Sequence, residues 1–129
     1  MKKKIMFIMP ALAGGGAEKV LVNILKNFDY SSYEVTLFLE YKEGVYLNDV
    51  PEKVRMLTLH KQNTIWFERL HRVLRAFNCY AFFHELVYKY MLFKLLKEEQ
   101  FDTIISFMEG AAVKFHSYIF NKAKKNLYY

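Results

Sequence analysis

Three of the chain's five glycines, Gly14, Gly15 and Gly16, stand side by side between an apolar run ending at Met9 and a helix-like pattern opening with Ala17 and Glu18. Glycine has no Cβ to hold a ligand away and takes positive φ without strain, so adjacent glycines let a backbone close around a small charged group. Where such a turn feeds a helix, the first N–H groups lack intrahelical acceptors and the dipole end is positive, which suits an anion such as a diphosphate. A glycine turn needed only for tight strand-to-helix packing has the same sequence. Two phosphate loops are excluded by spacing: G-x-G-x-x-G requires glycine where Lys19 stands, and G-K-[S/T] requires a glycine before a lysine, which does not occur. Neither NAD nor a P-loop nucleotide is supported, and no cofactor is implied.

Glu109 and Gly110 form a second candidate group, because they follow the apolar stretch "FDTIISF" and precede the helix-like "AAVKFHSYIFNK". This places the Glu109 carboxylate at the same sheet edge as the glycine loop, as a cleft-lining group or as a carboxylate favoured near a helix N-terminus. Glu18, early in its own helix, admits the same two readings. The four histidines, His60, His71, His84 and His116, include no pair at metal-ligand spacing, and "HELVY" departs from H-E-x-x-H at Tyr88. The three aspartates form no D-x-D, so no metal is expected. The lone Cys79 has no partner for an intrachain disulfide and no nearby charge pattern to activate a thiolate.

These residues need strands and helices to position them. Residues 4–9 read as a strand buried on both faces and closed by Pro10, and from Ala17 the residues Val20, Leu21, Ile24, Leu25 and Phe28 recur at helical spacing. Residues 33–41 and 54–59 read as further strands, joined by a loop holding Gly44 and Pro51. A stripe of Trp66, Leu70, Val73, Leu74 and Phe77 predicts one helix, and a longer one is expected over about 82–99. Residues 102–107 return to a strand and 111–122 to a helix, and "KKNLYY" starts another strand and stops. Such alternation predicts one α/β Rossmann-like domain over residues 1–129, with a mainly parallel sheet flanked by helices.

With 129 residues, 53% of them hydrophobic, the chain is long enough for one core. A formal net charge of +6 favours anionic partners, but basic residues are spread along the chain without an RNA-binding signature, so nucleic acid is not expected. The apolar start is too short for a signal peptide, and residues 80–96 are interrupted by His84, Glu85, Lys89 and Lys94, so no stretch reads as spanning a membrane. A cytoplasmic location is expected. Arg69, Arg72 and Arg75 recur three apart beside the Trp66–Phe77 stripe, an arrangement that suits either an ordinary surface helix or one lying on the inner face of an anionic membrane.

The stretch "GGAEKVLVNIL", with Gly15, Gly16 and Glu18, resembles the opening of family 4 glycosyltransferases of the GT-B fold, and "FDTIISFMEG", with Asp102, Glu109 and Gly110, is similar to their strand-plus-loop D-x-I-x-[S/A]-F-x-E-G. The resemblance implies the acceptor-side N-terminal domain of a retaining enzyme of bacterial cell-surface polysaccharide synthesis. Such an enzyme transfers sugar from a nucleotide diphosphate sugar to a glycan or lipid-linked acceptor. It implies substrate contacts at Gly14, Gly15, Gly16, Glu18, Glu109 and Gly110. It also implies a missing C-terminal donor-binding domain, often marked by E-x7-E, so that the chain reads as truncated, inactive alone and open to self-association along uncovered strand edges. The rival readings are a non-catalytic interaction or membrane-docking module and a small nucleotide-binding regulator.

Overall fold

A computed structural model describes residues 1–60 and 80–129. The elements run β1 (Lys3–Met9), α1 (Gly16–Lys26), β2 (Tyr33–Tyr41), a 3-10 turn (Leu47–Asp49), β3 (Arg55–His60), α2 (Tyr80–Leu95), β4 (Phe101–Ser106), α3 (Ala111–Ile119), a second 3-10 turn (Phe120–Lys122) and β5 (Ala123–Tyr128). The five strands form one all-parallel sheet in the order β3-β2-β1-β4-β5. This is the Rossmann-like α/β architecture that the alternating pattern predicts. The expected Trp66–Phe77 helix, with Arg69, Arg72 and Arg75, and Cys79 lie outside the described residues.

Parallel strands covered on both faces must be apolar where they are covered, and β1 is from Ile5 to Met9. Its Met6 and Ile8 enter one core with Phe38, Ile104, Tyr88 and Leu92 of α2, and Phe115 and Ile119 of α3. Its Phe7 and Met9 enter the other with Val35, Leu37, Leu39 and Leu21, Val22 and Leu25 of α1. Helix α1 is thus rotated from the expected stripe: Val20 and Ile24 are exposed, and Val22 is buried in their place. Leucines and a valine at spacings one, three and four make the narrower face that fits the sheet. The last segment is a strand, as the sequence suggests, paired along β4 from Phe101↔Ala123 to Ser106↔Tyr128.

Strand β5 is locked to α3 by a buried polar chain. Asn126 donates its amide to the Phe120 carbonyl at 3.1 Å and presents its oxygen to His116 Nε2 at 2.7 Å. That oxygen accepts, so Nε2 carries the proton and Nδ1, 2.5 Å from Ser106 Oγ, accepts from the hydroxyl. Tyr128 stacks on the imidazole at 4.5 Å between centroids. Burial holds His116 below its ordinary value of 6.5, with the Asn126 hydrogen bond opposing. On the same face Glu40 is almost fully buried, and it accepts from the Tyr88 hydroxyl at 3.1 Å. Burial pushes the Glu40 carboxyl up, against the pull of hydrogen bonds from Tyr88 and Tyr41.

These two groups oppose each other in acid. The unfolded chain takes a proton at His116 near 6.5 while the folded chain resists, so this group lowers stability as the pH falls through that value. Glu40, raised in the folded state, does the reverse: its contribution is present at low pH and is lost as the pH rises through its folded value. His116→Gln removes the first and leaves the second. Its melting temperature should therefore decline less than wild type's between about pH 7 and about pH 5. Parallel declines would show that His116 does not titrate differently on folding.

Candidate functional site

The strand order reverses at β1, with β2 and β3 on one side and β4 and β5 on the other. In open parallel sheets the loops leaving the carboxyl ends at such a reversal diverge to opposite faces and leave a crevice for ligands. Here the two loops are residues 10–15 after β1 and residues 107–110 after β4. Ile8 is opposite Ser106 in the register, and the Phe107 N–H donates to the Ile8 carbonyl at 3.0 Å, so the loops leave from level, adjacent strand ends. Tyr129, stacked on Phe107 at 4.7 Å, supports the second loop from the β5 side.

Each glycine of the first loop does something different. Gly14 has φ of 137°, which an L side chain rarely adopts. Gly15 is the N-cap of α1, in extended conformation. Gly16 already belongs to the helix, and a Cβ built on it meets no atom within 4 Å. Only open solvent lies beside it, so packing gives no reason for glycine there.

Glu18 occupies the donors that the glycines expose. Its Oε2 accepts from the Gly14 N–H at 2.7 Å and from the Gly15 N–H in a shorter hydrogen bond. A glycine N-cap has no side chain to bond the helix, and this reach back from the third helical position supplies the satisfaction instead. The arrangement shows two backbone donors converging on a carboxylate, at the positive end of a helix, which is the chemistry of an anion cradle. A ligand anion entering it must displace Glu18.

Sequence reasoning passed over Gly44, which the loop after β2 uses to hold the glycine loop in place. Its φ is 121°, and a Cβ on it would lie 1.9 Å from the Leu12 carbonyl oxygen. That close approach lets Leu12 N–H donate to Glu43 at 3.0 Å and Tyr46 N–H donate back to Leu12 at 3.3 Å, while Tyr41 N–H donates to Pro10 at 3.0 Å. Leu12, fully buried, seats in the α1-side core below. A glycine in a loop was the available signal, but its partner is remote in sequence.

In the second loop Gly110 caps α3 at φ of 73°, and Lys114 N–H donates to its carbonyl at 3.0 Å. Glu109 is exposed beside it and makes no ion pair among the described residues. Asp102, which opens the same sequence motif, lies at the other end of β4: it accepts from the Lys4 N–H at 2.9 Å and pairs with Lys124 at 2.7 Å. The Lys124 hydrogen bond, followed by that of Lys4, holds its carboxyl below the usual range. Its part is to fasten strand starts. Ser106, His116 and Asn126 line up like a nucleophile, base and orienting amide, but Ser106 and His116 are fully buried, so no substrate reaches that hydroxyl. No group of His, Cys, Asp and Glu among the described residues could hold a metal ion.

Fold and loops together define an open parallel α/β domain with a glycine loop, capped by Glu18, at its strand-order reversal. No protein-family model matches the chain, and no curated protein matches it significantly. A solved structure similar to it is the C-terminal domain of a hydrogenase from Pyrococcus furiosus, at 17% identity, covering 98% of this chain and 90% of that one with a TM-score of 0.48. So distant a likeness has no bearing on the chemistry.

The two kinds of glycine should separate under mutation. Gly44→Ala, with both a disallowed φ and a backbone collision, should cost on the order of 2–4 kcal/mol. Gly16→Val, entering open space in a first helical turn, should change stability by less than about 1 kcal/mol. Melting temperatures of the two variants decide it; equal losses would mean that the loop after β2 does not hold the glycine loop as described.

Proposed function

We propose that this chain is the acceptor-side, N-terminal domain of a retaining glycosyltransferase resembling family 4, in which the glycine loop meets the phosphates of a nucleotide diphosphate sugar. The observation supporting this most is the pair of N–H groups of Gly14 and Gly15 converging on one carboxylate beside the reversal point of the sheet. Departure of a diphosphate develops negative charge, and preorganised backbone donors with a helix end stabilise it without reorganising. Gly16 leaves room for the phosphates, Glu18 yields its place to them, and Glu109 with Gly110 forms the opposite cleft wall toward a glycan or lipid-linked acceptor. A separate donor-binding domain supplies the remaining grip on nucleotide and sugar.

Inorganic pyrophosphate, titrated while backbone amide resonances are followed, tests the cradle directly. Shifts should concentrate at Gly14, Gly15 and Gly16. Glu18→Gln, with a weaker internal competitor, should bind several-fold more tightly, and Gly16→Val should lose the shifts while keeping its melting temperature. Shifts confined to surface lysines, or none, would overturn the assignment. A separate expectation concerns turnover: the purified 129-residue chain should show no sugar transfer from nucleotide sugars, because the donor grip is elsewhere. Sustained transfer by the chain alone would refute its reading as one half of an enzyme.

A further inference from the structure

Helix α2 carries large apolar side chains on two opposite sides. Its inner side, Tyr88 and Leu92, with Leu96 just beyond the helix, is buried against the sheet and α3. On the outer side Leu86, Tyr90 and Phe93 follow one another at helical spacing with Val87 alongside, and they are 55%, 66%, 60% and 41% exposed. This line of large side chains is exposed and has no partner among the described residues. Lysines border it: Lys97 continues the line one turn beyond Phe93, Lys94 lies on the Val87 margin and Lys89 on the other.

The acidic residues nearby are largely engaged. Glu85 pairs with Lys89 at 2.7 Å and Glu99 with Arg55 at 2.7 Å, leaving Glu98 without an ion pair among the described residues. Lys122 adds charge to the same end, its Nζ donating to the Lys97 carbonyl at 3.1 Å. The chain as a whole carries a net charge of +6.

We propose that the outer line of α2 docks the protein on an anionic lipid surface, with Leu86, Tyr90 and Phe93 entering the headgroup boundary and Lys94 and Lys97 reaching lipid phosphates. An apolar line with lysines at its margins suits a helix lying in that layer, because lysine stems extend along apolar surface while their ammonium groups stay with water and phosphate. Tyr90 is suited to the same depth, its ring on the acyl side and its hydroxyl at the headgroups. No described helix is long and apolar enough to cross a membrane, so the contact is peripheral. The inference stands on α2 alone and does not depend on the transferase reading.

Sedimentation of the intact chain with vesicles decides the matter. Binding to phosphatidylcholine vesicles containing about a quarter phosphatidylglycerol should exceed binding to phosphatidylcholine alone by about tenfold, and should weaken at high salt. The double change Tyr90→Ser with Phe93→Ser should abolish it, and Lys94→Glu with Lys97→Glu should remove the preference for anionic vesicles. These positions are exposed, so melting temperatures should hold. Equal binding to both vesicle types, or full binding by the serine variant, overturns the proposal. So does a wild type that ignores vesicles and sediments as a dimer which the serine variant dissolves, since the face would then be a contact between copies.

Discussion

The placement of β1 at the centre of the sheet is the constraint on which the rest of the molecule depends. It pairs in parallel on both sides, with β2 from Lys3↔Tyr33 to Met9↔Leu39 and with β4 from Ile5↔Thr103 to Ile8↔Ser106. Its side chains alternate between the two cores, so a slip of one residue would send each to the wrong face and break both at once. Register is therefore fixed from within. It is also pinned at both ends, by Asp102 receiving the Lys4 N–H below and by the Pro10–Tyr41 and Ile8–Phe107 backbone hydrogen bonds above. The level departure of the two loops follows from that register.

Much of this framework was legible in the residues. Strand β2 was read to both its ends, because an unbroken β-branched and aromatic run has few alternatives. The glycine loop and the Glu109–Gly110 loop could be placed on one edge because parallel strands impose it. What escaped was decided by remote contacts. Val20 and Ile24 fit a helical stripe as well as Val22 does, and only the sheet's shape chooses among them. The need for glycine at position 44 comes from the Leu12 carbonyl, and the coupling of Ser106, His116 and Asn126 exists only once β5 pairs with β4. Local patterns specify elements; they do not specify which side chains of distant elements meet.

The pair of loops and the outer face of α2 belong to different parts of the fold. The first lies at the carboxyl ends of the strands, and the second runs along a flank of the sheet. A helix that precedes β4 in an all-parallel sheet must return antiparallel to the strands, so its exposed line lies alongside them.

The carboxylate of Glu18, held by the Gly14 and Gly15 amides, gives the loop an anion of its own. The resident anion is tethered, so its effective concentration at the site is on the order of millimolar or above, and it never diffuses away. A free monoanion offers the amides nothing that the tethered one does not, and it loses the competition on entropy. An anion with greater charge and several acceptor oxygens is the kind that offers the amides more. On the proposed reading, selectivity for polyvalent over simple anions needs no dedicated residue, because it follows from capping the helix with a side chain that can leave.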